Sequence, residues 1–154
     1  MLHWTEQFTT GSRELDYQHQ TLIDNINDLE TMLALKSPSR HDYASMLGVV
    51  DFIEHFAEKH FACEEHCMEH FRCPCRELNK NAHAEFLTLL QQFKNRNLTE
   101  GFPHELLIQL HATMKQWIME HIFQIDSQLK PFIKGNASGA DTTFLKLGEN
   151  TEPA

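Results

Sequence analysis

Apolar side chains recur along this chain at intervals of three and four, over four stretches separated by short polar or proline-bearing segments. The first stretch runs from Arg13 to Leu35, with Leu15, Leu22, Ile26, Leu29 and Leu33 on one face, and Ser37-Pro38-Ser39 ends it. The second runs from His41 to Phe71 and carries Met46, Val49, Ile53, Phe56 and His60 in register. It stops before Cys73-Pro74-Cys75, where proline forbids continuation. The third spans Arg76 to Phe93 through His83, Phe86, Leu87 and Leu90, and the segment from Asn97 to Phe102 breaks it. The fourth starts at Pro103, well placed as a first-turn proline, and reaches Ile133 through Leu107, Leu110, Met114, Trp117 and Ile118. No strand-type alternation persists anywhere. Long helices joined by short connections become antiparallel neighbours, so residues 1–134 predict an all-α, up-down-up-down four-helix bundle.

Residues 135–154 read differently. Gly135-Asn136-Ala137-Ser138-Gly139-Ala140 is linker-like, and residues 141–154 lack a helical period. This segment is either a tail or the start of a connection to an output domain.

Composition narrows the function classes. A formal charge of −9 and the lack of a Lys/Arg cluster argue against nucleic acid as a partner. No apolar run approaches the ~20 residues of a membrane span, and the first residues lack an export signal, so the expected compartment is the cytoplasm. The anomalous count is 11 histidines beside 22 carboxylates, which invites a search for ligand spacing.

That spacing is present. Glu64 lies about 40° from His60 on the helical wheel, one turn along the same apolar stripe. His19 lies among Leu15, Leu22, Ile23 and Ile26; His83 among Phe86, Leu87 and Leu90; His121 with Leu110, Met114, Trp117 and Ile125. Each helix thus directs one imidazole inward. A single such histidine is usually a core residue hydrogen-bonded to a carbonyl. Four of them with a carboxylate are a different matter. Each polar group left unsatisfied costs ~1–3 kcal/mol against a total stability of ~5–15 kcal/mol, and a pair of divalent metals satisfies all of them at once. Asp126 follows His121 by five positions, about 140° away on a regular helix, so spacing alone leaves it an uncertain ligand. A π-bulge would return it to the core.

The four cysteines, Cys63, Cys67, Cys73 and Cys75, fall within thirteen positions. Small core residues plus a turn is the favoured reading, against a thiol redox pair or a zinc site. His3, His41, His55, His104 and His111 have no stripe partners and read as surface or capping residues; His66 projects off the Glu64 stripe, and His70 lies ~9 Å further along the axis, at the bundle end.

The ordered set Trp4…Gly11…Leu15-Asp16-x-Gln18-His19-x-x-Leu22, His60-Phe61-x-x-Glu64-Glu65-x-x-Met68, His83-x-x-Phe86 and His121-x-x-x-x-Asp126 resembles the hemerythrin family from Trp4 to Phe132. The resemblance implies two non-haem iron ions held by His19, His60, Glu64, His83, His121 and Asp126. Glu64 and Asp126 would bridge the irons, together with an oxo or hydroxo group. It also implies dioxygen or small anions as ligands. One position departs: where the family has a histidine four residues before His83, this chain has Asn79. The resemblance then implies two histidines per iron, with Asn79 near the metal and water or a small ligand in the position it leaves. A ferritin-like oxidase is disfavoured because its pair of Glu-x-x-His motifs is missing, and the domain reads as non-enzymatic. Sensing of oxygen or redox state ahead of an output domain is the favoured role, and reversible oxygen carriage or storage is the alternative.

Overall fold

The computed structural model describes residues 1–100 and 104–135. Four long helices form: α1 (Arg13–Leu33), α2 (Arg40–His70), α3 (Arg76–Glu100) and α4 (His104–Gln124). A 3-10 turn at Glu6–Phe8 precedes them. A second, at Asp126–Leu129, leads into the short α5 (Lys130–Gly135). Helix α1 packs on α2 and α4, and α3 packs on α2 and α4, so the four long helices close an antiparallel square. Pro103 and residues 136–154, where the first-turn proline and most of the linker reading fall, lie outside the described residues.

Helices α1 and α2 start for local reasons. The Ser12 side chain accepts from the Leu15 amide at the head of α1. Ser39 and Asp42 form a reciprocal capping box at the head of α2. Ahead of α1, Asp16 accepts from the Thr10 amide at 2.8 Å and the Thr10 hydroxyl at 2.9 Å, which folds the N-terminal arm back onto the helix. Gly11 sits at φ +89°, and a Cβ there would stand 3.4 Å from the Ile133 side chain. Glycine suits both the backbone angle and the close approach.

The apolar stripes meet in two clusters. The larger contains Leu22, Ile26, Met46, Ile53, Phe86, Leu90, Leu107, Met114 and Ile118. The smaller, at the end where α1 and α3 begin and α2 and α4 finish, joins Leu15, Cys67, Met68, Phe71, Cys73, Cys75, Leu129 and Ile133. Cys73 and Cys75 are joined by a disulfide with Cα atoms 5.4 Å apart, while Cys63 and Cys67 are free.

Three expectations need correction. Helix α3 continues past Phe93 to Glu100. The apolar stripe ends at Phe93, but nothing between there and Glu100 breaks a helix, and Lys94 ties it to Asp51 and Glu54 of α2 at 2.9 and 3.1 Å. Helix α4 does not run to Ile133: it stops at Gln124, and the chain tightens into the 3-10 turn rather than widening into a π-bulge. His111 is buried, with Nε2 3.6 Å from the Glu30 carboxylate, because its flank of α4 faces α1. By contrast, His3, His41, His55, His66 and His70 are exposed. His104 meets the Tyr43 hydroxyl at 3.2 Å. Among the described residues, no helix is long and apolar enough to cross a membrane.

Leu90→Ala removes a fully buried side chain and is expected to cost ~2–5 kcal/mol in urea unfolding. Leu98→Ala, at a position 83% exposed, should stay within about 0.5 kcal/mol of the parent.

Candidate metal centre

Between the two apolar clusters lies a polar layer, and every residue the sequence singled out as a ligand is in it. His19 comes from α1, His60 and Glu64 from α2, His83 from α3, His121 from α4, and Asp126 from the 3-10 turn. None is more than 5% exposed, and His19, Glu64 and Asp126 are at 0%. Antiparallel packing explains the meeting: an early turn of α1 and α3 stands level with a late turn of α2 and α4. The break at Ile125 and the tighter turn after it carry Asp126 into the core, which a continuous helix would not.

The donors form two groups that share a carboxylate. One comprises His19, His60 and Glu64; the other comprises Glu64, His83, His121 and Asp126. Glu64 Oε2 lies 3.0 Å from His19 Nε2 and 3.1 Å from His60 Nε2. Its Oε1 faces the other way, 3.2 Å from His83 Nε2 and 3.9 Å from His121 Nε2. Asp126 also spans the two sides, with Oδ2 3.1 Å from His19 Nε2 and Oδ1 3.0 Å from His121 Nε2. Each carboxylate therefore gives one oxygen to each side.

Asn79 is fully buried beside this layer. Its Nδ2 donates to Glu64 Oε1 at 2.6 Å and to the Met68 sulfur at 3.1 Å, and its Oδ1 has no hydrogen-bond partner.

Electrostatics show how much charge the layer holds. Burial alone would drive the Glu64 pKa up, but contacts with His121, His19 and His60 hold it well below the usual carboxylate range. Burial also disfavours a charged His19, yet Asp126 and Glu64 outweigh it and raise that pKa to about 10. His121 is raised to about 9 against the same penalty, by Asp126 and then Glu64. His60 goes down, through burial and then the neighbouring His19 charge. Without metal, protons on two imidazoles balance the two carboxylates.

The donor geometry suits cations better than protons. Both Asp126 oxygens are buried without a hydrogen-bond partner although imidazole nitrogens stand near 3 Å, so these groups converge without aligning on one another. His83 and His121 bring two Nε2 atoms to 3.1 Å, where one can donate to the other in the absence of metal. Four imidazoles and two carboxylates are a donor set that suits iron.

Supporting contacts fix the rings, through residues whose roles helical spacing does not signal. His60 Nδ1–H donates to Gln18 Oε1 at 2.7 Å, which turns Nε2 toward Glu64. Glu65 stands 3.5 Å from His83 Nδ1 without a hydrogen bond to it. Phe61 stacks on His83 at 3.8 Å between centroids, and Trp117 on His121 at 4.3 Å. Gln18 adjoins His19 in sequence but serves a histidine on another helix; the family motif contains it, but helical spacing gives no sign of this role.

Fold and site together define a four-helix bundle with a buried imidazole–carboxylate cluster positioned like a di-iron centre. Residues 10–133 match the family model described as the hemerythrin HHE cation binding domain, and the chain belongs to the hemerythrin family. It is similar to the bacteriohemerythrin of Stenotrophomonas maltophilia (strain R551-3), 25% identical over 147 residues that cover 90% of this chain and 91% of that one. It is also similar to the bacteriohemerythrin of Pseudomonas aeruginosa (strain LESB58), 24% identical over 127 residues, 82% of this chain and 77% of that one.

These shifts make the stability of the metal-free chain depend on pH. His19 and His121 hold protons more tightly folded than unfolded. They stabilise the metal-free chain fully below the ordinary value of 6.5, and this contribution is lost as pH rises through about 9 and 10. Urea unfolding of metal-free protein should show stability falling across that window. Metal loading near neutral pH should release about two protons per chain, readable as buffer-dependent heats in titration calorimetry.

Proposed function

We propose that this chain holds two non-haem irons and senses oxygen or redox state through them. One observation carries the reading: Glu64 and Asp126 each give one oxygen to either side of a buried layer that has two imidazoles on each side. His19 and His60 would hold one iron, His83 and His121 the other, with Glu64 and Asp126 shared. When bound, such a pair supplies one-electron steps at each metal and exchangeable positions for dioxygen or a small anion. The protein's own part is to keep the donors fixed and dry. Gln18 orients the His60 ring, while Phe61 and Trp117 cover His83 and His121.

Asn79 supports sensing over carriage. Its amide nitrogen is engaged by Glu64 and Met68, and its carboxamide oxygen is a weaker donor than the imidazole a histidine would offer the His83 side. That side keeps one protein donor fewer than a histidine would give, which leaves a position open to water or anions and favours oxidation of the reduced centre. Residues 135–154 would link the domain to an output module. A second reading, a reversible carrier or store, is favoured by a different observation. The match spans 91% of the Stenotrophomonas bacteriohemerythrin, so that relative is itself little more than one such domain.

Protein expressed with ample iron should carry about two irons per chain and show bridge-type charge-transfer absorption in the ferric state. Zinc alone, or iron near zero, would sink the proposal. His60→Ala should lose metal, because it strips one side of a donor while leaving Glu64 buried. To separate the two roles, reduced parent and Asn79→His are mixed with air-saturated buffer in stopped flow. Sensing expects rapid oxidation of the parent and slower oxidation of Asn79→His; equal, slow rates favour the carrier.

A further inference from the structure

The smaller apolar cluster holds a feature that the proposed centre does not use. Cys67, Cys73, Cys75 and Met68 lie in it and Cys63 packs against it, at the end of the bundle next to the polar layer. Pro74 stops the helix, and Arg72 takes a left-handed backbone angle, φ 53°, that turns the chain between α2 and α3. The turn brings Cys73 and Cys75 into a disulfide.

From that pair, contacts run unbroken to Glu64. Cys75 Sγ is 3.9 Å from Met68 Sδ, Met68 Sδ is 3.1 Å from Asn79 Nδ2, and Asn79 Nδ2 is 2.6 Å from Glu64 Oε1. The backbone adds a parallel link, since the Asn79 amide donates to the Cys75 carbonyl at 2.9 Å, and the Cys73 amide to the Met68 carbonyl at 2.8 Å. Moving either cysteine therefore moves the residues that carry Met68 and Asn79.

We propose that Cys73-Pro74-Cys75 is a reversible thiol–disulfide exchange site for a dithiol reductant, and that Met68 and Asn79 pass its state to Glu64. The effect at Glu64 rests on the di-iron reading; the exchange does not. A thiolate of the reductant attacks one sulfur, the Cys73–Cys75 bond breaks, and a mixed disulfide forms. The reductant's second thiol then resolves it. Two electrons and two protons pass to the chain, leaving two thiols and an oxidised reductant. Each cysteine is only 5% exposed, so attack proceeds when the turn bearing the exposed Arg72 and Pro74 opens.

The chemistry of the relay lies in one hydrogen. A disulfide sulfur has none, so in the oxidised state Met68 accepts from Asn79 and receives nothing from Cys75. A Cys75 thiol is a donor, with the Met68 sulfur as the acceptor within reach. Reduction thus gives Met68 a second donor and loosens its hold on Asn79 Nδ2, the same nitrogen that donates to Glu64. Linkage makes the coupling reciprocal: what the thiols do to Asn79, the Met68 contact does to the thiol equilibrium.

The full chain is equilibrated in graded mixtures of reduced and oxidised dithiothreitol, thiols are trapped by alkylation, and mass spectrometry counts them. Two of the four should interconvert in one step, at Cys73 and Cys75. Met68→Leu should keep the step and move its midpoint by roughly threefold or more in the dithiothreitol ratio, the scale of a weak sulfur hydrogen bond. In iron-loaded protein the ferric absorption should shift between the two thiol states, and Met68→Leu should remove that shift. A pair that stays oxidised until the protein unfolds, or never forms, overturns the exchange site. An unmoved midpoint in Met68→Leu overturns the relay. Iron content, measured separately, reports on the di-iron reading, while the thiol count and midpoint stand without metal.

Discussion

One buried carboxylate organises this molecule. Glu64 has no exposed surface, yet imidazoles from all four long helices and the Asn79 amide lie within 4 Å of its two oxygens. An ionised carboxylate in an apolar core is heavily penalised unless it is paired and hydrogen-bonded. The bundle meets that requirement by placing the apolar stripes above and below and reserving one layer for polar groups. Removing a partner would leave the others buried and uncompensated, so the layer behaves as a unit.

The layer also explains the least regular part of the backbone. A continuous α4 would have carried Asp126 away from His121, and the second carboxylate would have been lost from the core. The helix gives way at Ile125, and the 3-10 turn sets both Asp126 oxygens among histidines. The turn continues into α5, whose Ile133 packs against Gly11 and closes the end of the bundle that holds the cysteines.

Asn79 occupies a junction. It stands beside the polar layer at the position where the family has a histidine, yet it also touches Met68 and, through its backbone, Cys75. This asparagine donates to the carboxylate and joins the layer to the sulfur-rich cluster below. The polar layer and the sulfur-rich cluster thus meet at one amide nitrogen.

The order of residues was enough to define the four helices and the inward placement of His19, His60, Glu64, His83 and His121. Those facts depend only on a 3.6-residue period, which is local. It did not define where α3 ends, because the apolar stripe stops at Phe93 while the helix runs on along solvent to Glu100. Nor did it define the burial of His111 or the role of Gln18, since each depends on which neighbouring helix lies alongside. Asp126 was marked as a ligand by the family resemblance, but not by its spacing. Its inward direction required a break in α4 that no local propensity signals, made worthwhile by the histidines it reaches. The donor role of Asn79 and the path from Cys75 to Glu64 likewise exist only once α2 and α3 are packed. Periodicity fixes which face of a helix is buried; packing decides what that face touches.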